Sequence, residues 1–177
     1  MANFVYIACS LDGFIAKPDG NLDWLNTIPN DNNDDYGYSQ FIERIDGIIM
    51  GKNTFEAVVG FPEWPYTKPV FVVSNSLKSI PEEVKGKAEI VHGDIRKIIE
   101  DLKRRGIKNI YVDGGKTIQF FLKEDLIDEM IITTVSKIIG DGIPLLGRIG
   151  IEKTFKVKKI ERLNEYLVKT YYRREEI

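Results

Sequence analysis

The order of apolar runs in this 177-residue sequence predicts an α/β fold with a largely parallel sheet and helices on both faces. Short apolar runs of strand length alternate with longer amphipathic segments that are typical of helices. The C-terminal part departs from this alternation, because two strand-like runs follow one another around Leu163–Glu165 and predict an antiparallel hairpin. We therefore expect a mixed sheet with the hairpin at one edge.

Runs rich in Val, Ile, Phe and Tyr identify the strands. In chain order they are Asn3–Cys9, Gly47–Met50, Pro69–Ser74, Ala88–Val91, Lys108–Val112, Glu129–Val135, and the hairpin arms Phe155–Ile160 and Tyr166–Tyr172. Caps and apolar periodicity identify the helices. We expect one from Asp34 or Asp35 to about Ile45, one over Lys52–Val59, one from Asp94 to Gly106, and one from the Asp113–Gly115 turn to about Leu122.

Composition excludes several classes of protein. Hydrophobic residues make up 43% and charged residues 29%, as in a soluble globular protein, and we expect a single domain over residues 1–177. A net charge of −2 gives no basic surplus for nucleic acid. We expect neither a membrane span nor a signal peptide. Cys9 and His92 are each the sole residue of their type, which excludes an internal disulfide and the common zinc sites and favours a reducing cytoplasm.

The strongest local signal for a ligand site is the Asp113–Thr117 turn. Gly114 and Gly115 separate a predicted strand from a predicted helix. Glycine lets a backbone approach a ligand closely, and the free N–H groups of a helix start favour an anion such as a pyrophosphate. The spacing matches neither G-x-G-x-x-G nor a P-loop, so a plain turn and a phosphate site remain equally open.

A similar arrangement follows the strand that ends at Met50. Gly51 precedes Lys52, which could reach a phosphate, and Thr54, which could donate a hydrogen bond to one. Taken alone, a plain helix start with an exposed lysine explains this segment better. Two such glycine turns in one small sheet, however, favour a dinucleotide.

Small polar residues close a third predicted strand at Ser74 and Asn75. They suit a ribose or its 2′-phosphate, although a plain loop explains either of them alone. Lys52 and Asn75 together favour NADPH over NADH, because neither segment holds the carboxylate that NAD sites use to bind the ribose. Ligands of such folds bind beyond the carboxyl ends of the strands, where these turns should meet.

Four segments resemble, in their order along the chain, the dihydrofolate reductase-like superfamily. They are Ala8–Ala16, Leu22–Leu25, Ile48–Glu56 and Ile110–Gly115. The S-L-D-G-x-I-A form of the first is similar to the riboflavin-biosynthesis branch, which includes the reductase domain of the bifunctional pyrimidine deaminase/reductase. The resemblance covers about residues 4–172. It implies a three-layer fold with an eight-stranded mixed sheet and NADPH lying across the strand ends.

The resemblance also implies roles for individual residues. Ala8 and Ile15 would frame the nicotinamide, and Ser74 and Asn75 would contact the 2′-phosphate side. The two glycine turns would hold the phosphates through Gly51, Lys52, Asn53, Thr54, Gly114, Gly115, Lys116, Thr117 and Ile118. The substrate-side positions are Trp24 and Thr133.

The sequence departs from the family at the proton donor. Dihydrofolate reductases hold a carboxylate early in the first helix, and that position is Gly37 here when Phe41 is taken as the matching aromatic residue. Asp35 is the nearest well-placed carboxylate and Asp12 is the second candidate, so these two are the expected catalytic residues. A bound water is the remaining source of the proton.

These expectations describe an NADPH-dependent reductase of a small heterocyclic substrate, with the 5-amino-6-(5-phosphoribosylamino)uracil reductase type as the most specific interpretation. Dihydrofolate reductase is an alternative within the class, and a non-catalytic NADPH-binding protein is an alternative from another class. We expect a small-molecule substrate and a homodimer, because a symmetric dimer would cover the edge left by the Tyr-rich terminal hairpin. Neither nucleic acid nor a membrane is an expected partner.

Overall fold

Strands and helices alternate along most of the chain in the computed structural model, which describes residues 2–30 and 32–175. The strands are β1 (Ala2–Ser10), β2 (Phe14–Ala16), β3 (Gly47–Gly51), β4 (Val70–Val73), β5 (Ala88–Val91), β6 (Asn109–Asp113), β7 (Glu129–Val135), β8 (Ile143–Pro144), β9 (Phe155–Arg162) and β10 (Leu167–Arg174). The α-helices are α1 (Tyr38–Glu43), α2 (Lys52–Val59), α3 (Ile95–Arg104) and α4 (Gly115–Lys123), and 3-10 turns occupy Leu25–Thr27 and Glu82–Val84. Within the described ranges, no helix combines the length and apolarity needed to cross a bilayer.

The main sheet has eight strands in the order β5-β4-β3-β6-β1-β7-β10-β9. The six strands from β5 to β7 are parallel, whereas β10 pairs antiparallel with both β7 and β9. The predicted mixed, mostly parallel sheet with a C-terminal antiparallel hairpin is therefore confirmed. β2 and β8 form a separate ribbon that the sequence pattern does not predict, because runs of two or three residues are too short to show an alternation.

The strands serve two hydrophobic cores, one on each face of the sheet. Ile49 packs with Phe121 of α4 and with the apolar side of α3 on one face. Ile48 and Met50 pack with Phe55 of α2 and with α1 on the other face. Because successive strand residues point to opposite faces, a continuous apolar run fills both cores and produces three layers.

The first helix is shorter than the sequence predicts. It begins at Tyr38 rather than near Asp35 and ends at Glu43, before Ile45. The cause lies in the backbone, because Tyr36 and Gly37 have φ values of 53° and 84°. This left-handed conformation cannot continue a right-handed helix, so the helix starts only after Gly37.

The topology creates a crevice between the adjacent strands β3 and β6, where Met50 is the register partner of Asp113. After β3 the chain passes through α2 to β4 on one side, and after β6 it passes through α4 to β7 on the other side. The two helices lie on opposite faces of the sheet. A reversal of strand order of this kind is where open α/β sheets bind ligands.

Candidate active site

Two glycine turns pack against each other at this crevice. Gly114 has a φ of +90°, and a Cβ atom added to it would lie 2.2 Å from Oγ1 of Thr54. A Cβ atom added to Gly51 would lie 3.1 Å from Oγ1 of Thr117. Glycine at these positions therefore brings the starts of α2 and α4 into direct contact.

Neither of these helix starts is capped by a side chain. The N-cap residues are Gly51 for α2 and Gly114 for α4, and neither supplies a capping hydrogen bond. The first N–H groups of a helix have no acceptor within the helix, and the positive end of the helix dipole adds to their attraction for an anion. The crevice thus presents two adjacent helix starts whose N–H groups have no side-chain cap.

Lysines add positive charge to both starts. Lys52, the first residue of α2, lies with Nζ 3.6 Å from the carboxylate of Glu56 on the helix surface. A partly exposed pair of this kind is weak, so Lys52 can exchange Glu56 for a phosphate. Lys116 is exposed in the first turn of α4, and Asn53 is exposed in the first turn of α2.

A small apolar hollow of about 160 Å³ adjoins these helix starts. Gly51, Lys116 and Thr117 contribute to its lining, together with Val73 at the end of β4 and Phe120 of α4. The hollow gives the charged crevice an apolar neighbour, which suits a ligand that joins phosphates to a ring.

The turn after β4 uses Ser74 mainly for its own structure. The Ser74 hydroxyl accepts hydrogen bonds from the N–H groups of Ser76 at 3.2 Å and Leu77 at 3.0 Å, and the His92 ring contacts the Ser74 carbonyl. Ser74 is buried, whereas Asn75 is exposed at the tip of the turn. Asn75 and Ser76 are therefore the exposed side chains of this turn, and contact of Asn75 with a cofactor stays a prediction.

Two residues expected around the cofactor have structural contacts instead. Ile118 is fully buried in the core, and its N–H donates to the carbonyl of Gly114 at 2.9 Å. Ile118 is thus closed to a ligand, contrary to the expectation. Ile15 packs its Cδ1 atom 2.9 Å from the point where a Gly115 Cβ atom would lie, which holds β2 against the start of α4.

A larger cavity of about 520 Å³ lies at the carboxyl ends of β1 and β7. Ala8 and Thr133 are register partners on these strands, and both line the cavity. Tyr6, Asp35 and Tyr36 form a further part of its wall. Tyr6 stacks on Phe41 of α1 with ring centroids 4.7 Å apart, so the cavity lies on the α1 face of the sheet. Its volume is in the range of small-molecule sites.

Trp24, expected to contact the substrate, packs instead against residues that line this cavity. Its side chain is 2% exposed and packs with Val135 and Leu167, which themselves line the cavity. Trp24 therefore fixes the shape of the wall and is not part of the lining. The neighbouring Leu25 and Asn26 reach the cavity in its place.

Asp35 lies at the cavity with both carboxylate oxygens already occupied. Oδ1 accepts from the N–H of Gly37 at 2.7 Å and Oδ2 accepts from the N–H of Ser39 at 2.9 Å. Hydrogen bonds from the Ser39 side chain, the Ser39 N–H and the Gly37 N–H lower the pKa of Asp35. This geometry favours a charged cap of α1, and its role as a proton donor stays a prediction.

Asp12 is likewise held by backbone donors. It accepts from the N–H groups of Ile139 at 3.2 Å and Gly140 at 2.8 Å, which ties the turn after β1 to the loop after β7. A hydrogen bond from Ser10, followed by those of Gly140 and Ile139, lowers the pKa of Asp12. Its catalytic role also stays a prediction.

A half-buried carboxyl group precedes the second glycine turn. Asp113 accepts from the Tyr66 hydroxyl at 2.6 Å and from the N–H of Gly114 at 2.8 Å. Burial raises the pKa of Asp113, and the hydrogen bonds from Tyr66 and Gly114 oppose this effect. Asp113 thus anchors the turn that opens α4.

The residues that sequence reasoning missed include Tyr6 and Tyr36, which line the larger cavity, and Lys169, which lies next to it. The Lys169 ammonium donates to the Tyr6 hydroxyl at 3.0 Å and to the Tyr36 carbonyl. A signal for Lys169 was present, because period-two alternation puts it on the same face of β10 as Leu167, which is buried. The position of Tyr36 depends on its unusual backbone conformation and left no such signal.

The fold defines a protein with the dihydrofolate reductase-like architecture, with two glycine turns in contact at the strand ends. The chain belongs to the RibD C-terminal domain family, whose model matches residues 4–169. Among curated proteins, YwjB of Bacillus subtilis (strain 168) is 36% identical over 172 residues and is covered to 96%, as is this chain. The riboflavin biosynthesis protein RibD of Aquifex aeolicus (strain VF5) is 34% identical over 109 residues, which span 56% of this chain and 31% of that protein.

Solved structures agree with this assignment. A Shewanella sp. PV-4 protein, named provisionally for riboflavin biosynthesis, is 47% identical with a TM-score of 0.96, covering 99% of this chain and 100% of that one. The Thermotoga maritima diaminohydroxyphosphoribosylaminopyrimidine deaminase/5-amino-6-(5-phosphoribosylamino)uracil reductase is 16% identical with a TM-score of 0.75, covering 98% of this chain and 56% of that one. At this identity the second likeness shows the fold alone.

Proposed function

We propose that this protein is an NADPH-dependent reductase of a small heterocyclic substrate, of the 5-amino-6-(5-phosphoribosylamino)uracil reductase type. The observation that carries the proposal is the pair of uncapped helix starts in the crevice between β3 and β6. Membership of the RibD C-terminal domain family supports an oxidoreductase. A bound nicotinamide supplies a hydride for an electrophilic carbon, and the protein must position the substrate and provide a proton.

The chemistry of the crevice fits the phosphates of NADPH. Two sets of free helix N–H groups suit the pyrophosphate, and Lys52 and Asn75 suit the 2′-phosphate. The side chains of Thr54 and Thr117 lie at the junction of the two turns, where they add hydroxyl groups. Each of these contacts is part of the proposal.

The larger cavity is the proposed substrate site. Thr133 offers a hydroxyl group in its wall, and Ala8, its register partner, which the resemblance assigns to the nicotinamide, leaves room for a flat ring beside β1. The wall combines apolar side chains with a few polar groups, as small-molecule sites do. A heterocycle therefore fits the cavity better than a charged polymer would.

Cofactor titration and turnover test this proposal together. Calorimetry should show tighter binding of NADPH than of NADH. Loss of NADPH absorbance with 5-amino-6-(5-phosphoribosylamino)uracil, with dihydrofolate, or with related heterocycles as the added reactant then identifies the reaction. Turnover of dihydrofolate with inhibition by an antifolate would select dihydrofolate reductase. Binding of NADPH with no turnover across the panel would select the non-catalytic alternative, and no binding would overturn both.

We further propose a homodimer formed through the hairpin. A bulge between Tyr171 and Tyr172 places Val157 and Ile160 of β9 on one face of the hairpin, beside Val168 of β10. Val157 is 54% and Ile160 is 65% exposed. Apolar side chains on an edge strand invite pairing with a second copy. Sedimentation should give twice the mass of one chain, Ile160→Lys should halve it, and a monomeric wild type would overturn the proposal.

A further inference from the structure

Lys169 is a buried lysine in the middle of β10, with 2% of its surface exposed. A buried ammonium group is rare, because its desolvation must be offset by hydrogen bonds or charges. Here Nζ donates to the Tyr6 hydroxyl at 3.0 Å and to the Tyr36 carbonyl, and it lies 5.2 Å from the Tyr6 ring centroid. The cost of burying this charge points to a function beyond packing.

Strand register places Lys169 next to the larger cavity. Lys169 is the partner of Thr133 on β7, and Thr133 is the partner of Ala8 on β1. Side chains of register partners share a face of the sheet, as do residues two apart in one strand, so Tyr6 lies on this face beside Ala8. Tyr6, Ala8 and Thr133 line the cavity, and the ammonium of Lys169 lies behind the hydroxyl of Tyr6.

The carbonyl of Tyr36 holds this pair together. Tyr36 has a φ of 53°, which is unfavourable for an aromatic residue. Its carbonyl accepts from the Tyr6 hydroxyl at 2.7 Å and from Lys169. Because the carbonyl has two donors, the Tyr6 hydroxyl can turn towards a ligand in the cavity while Lys169 keeps the carbonyl satisfied.

The charges around the pair come from several elements. The titratable groups that face it are Glu161 and Lys159 of β9, Asp34 and Asp35 before α1, and Tyr171 of β10. Burial lowers the pKa of Lys169, and the carboxylates oppose that shift. Burial also raises the pKa of Tyr6, so the phenol keeps its proton at neutral pH.

We propose that Tyr6 and Lys169 are the proton-delivery pair of the reductase site, an inference that rests on the proposed function. When a hydride adds to an electrophilic carbon of the substrate, the Tyr6 hydroxyl gives its proton to the neighbouring atom that gains negative charge. The phenolate is stabilised by the adjacent Lys169 ammonium, which returns a proton to it, and water reprotonates the Lys169 amine. Tyr6 is thus a catalytic residue, and Lys169 is a positioning residue that acts through it.

Substitutions at the two positions separate this role from packing. Tyr6→Phe keeps the ring and removes the acid. Lys169→Met keeps the length of the side chain. The Tyr6 hydroxyl and the Tyr36 carbonyl, which lose the ammonium group, stay hydrogen-bonded to each other, so the variant should fold. We expect kcat to fall by about 10²–10⁴-fold in both variants, with unchanged NADPH affinity. Lys158→Met, on the exposed surface of β9, is the control and should keep the wild-type kcat.

The pH profile supplies a readout that a structural role would not move. The pair needs a protonated Lys169, so kcat should fall as the pH rises through the Lys169 pKa, which lies below the usual lysine range. Lys169→Arg should recover part of the rate and shift this alkaline limb to higher pH, because a guanidinium group does not lose its proton. A second measurement does not depend on activity. The ¹³Cε NMR signal of Lys169 is identified by its absence from the spectrum of Lys169→Arg, and it should titrate at a lower pH than the signals of the other lysines.

The outcomes separate the two proposals. A wild type that neither binds NADPH nor turns over any substrate overturns the proposed function, and the proton-delivery pair falls with it. If the wild type turns over substrate and both Lys169→Met and Tyr6→Phe keep the wild-type kcat, the proton-delivery pair is overturned and the proposed function stands. The pair also fails if the Lys169 signal titrates with the other lysines, or if both variants lose activity only in proportion to lost folded protein, measured by circular dichroism. The proton-delivery pair is supported if Tyr6→Phe and Lys169→Met lose kcat with an intact fold and the alkaline limb of the kcat profile moves to higher pH in Lys169→Arg.

Discussion

The helix starts of this protein are of two kinds. At the start of α3, Asp94 accepts hydrogen bonds from the N–H groups of Arg96 at 3.0 Å and Lys97 at 3.2 Å. At the starts of α2 and α4 the N-cap is glycine, which offers no side-chain acceptor. The capped start follows the edge strand β5, whereas the open starts follow β3 and β6 at the crevice. The chain supplies its own acceptor where a helix faces solvent and leaves the donors free where we propose that the cofactor binds.

The largest expected effect comes from closing the contact between the open starts. Gly114→Ala places a Cβ atom 2.2 Å from Thr54 Oγ1 at a φ of +90°, so backbone strain adds to overpacking. We expect the free energy of unfolding in urea to fall by about 2–5 kcal/mol, with loss of NADPH binding. Gly106→Ala is the matched control, because Gly106 also has a φ of +90° but has no atom within 4 Å of the added Cβ. Equal losses in the two variants would contradict the argument.

The next effect concerns the lysine at an open start. Lys52→Met should weaken NADPH binding by about 1.5–3 kcal/mol, or about one to two decades in Kd, and leave NADH binding nearly unchanged. Lys97→Met, in the first turn of the capped helix α3, should change neither. Calorimetry with both cofactors measures the difference. An equal loss for NADPH and NADH in Lys52→Met would show that Lys52 does not select the 2′-phosphate.

A smaller effect is expected at the capped start. Asp94→Ala leaves two N–H groups of α3 without their acceptor, so the free energy of unfolding should fall by about 1 kcal/mol, while Asp94→Asn should keep most of the stability. Both variants should bind NADPH like the wild type. A loss of cofactor affinity in Asp94→Ala would show that the start of α3 also contributes to cofactor binding, which contradicts the distinction from α2 and α4.

The smallest effect is expected for Asp35, which lies two residues before the N-cap Gly37 and accepts a hydrogen bond from the N–H of Ser39 in the first turn of α1. Since hydrogen bonds lower the pKa of Asp35, its carboxylate stabilises the fold above its unfolded pKa of about 3.9, and this contribution disappears as the pH falls through the folded pKa. Asp35→Asn should therefore lower the melting temperature slightly at neutral pH and not at strongly acid pH. Its kcat should stay near that of the wild type, whereas a drop of about two to four decades would restore Asp35 as the proton donor.

The sequence predicts those parts of this molecule that depend on local pattern. Apolar runs such as 47–50 and 129–135 locate the strands, and Asp94 locates the start of α3, because each signal lies within a few residues. Gly115 shows the limit of such reasoning. Its position suggests close approach of a ligand, but its missing Cβ atom makes room for Ile15 Cδ1 at 2.9 Å and the Pro144 carbonyl at 3.2 Å. Contacts of this kind depend on the path of distant chain segments.

The pair formed by Tyr6 and Lys169 shows the same limit at the proposed active site. Both residues occupy ordinary strand positions, and only the register of β1, β7 and β10 brings them together. Sequence reasoning instead selected Asp35 and Asp12, which are carboxylates in loops. The structure shows these two accepting backbone N–H groups, a use of aspartate that turns and helix starts favour.

The strand order also bears on how the protein folds. Tyr6 and Lys169 are 163 residues apart, so their hydrogen bond closes one of the longest loops that the chain can form. Parallel strands and distant pairings slow folding, because chain entropy is lost before the contacts stabilise the product. Lys169 of β10 is the register partner of Thr133, which is the partner of Ala8. Because β10 is near the C-terminus and is synthesised late, the wall of the larger cavity is incomplete until then. We expect this wall to be among the last parts of the molecule to form.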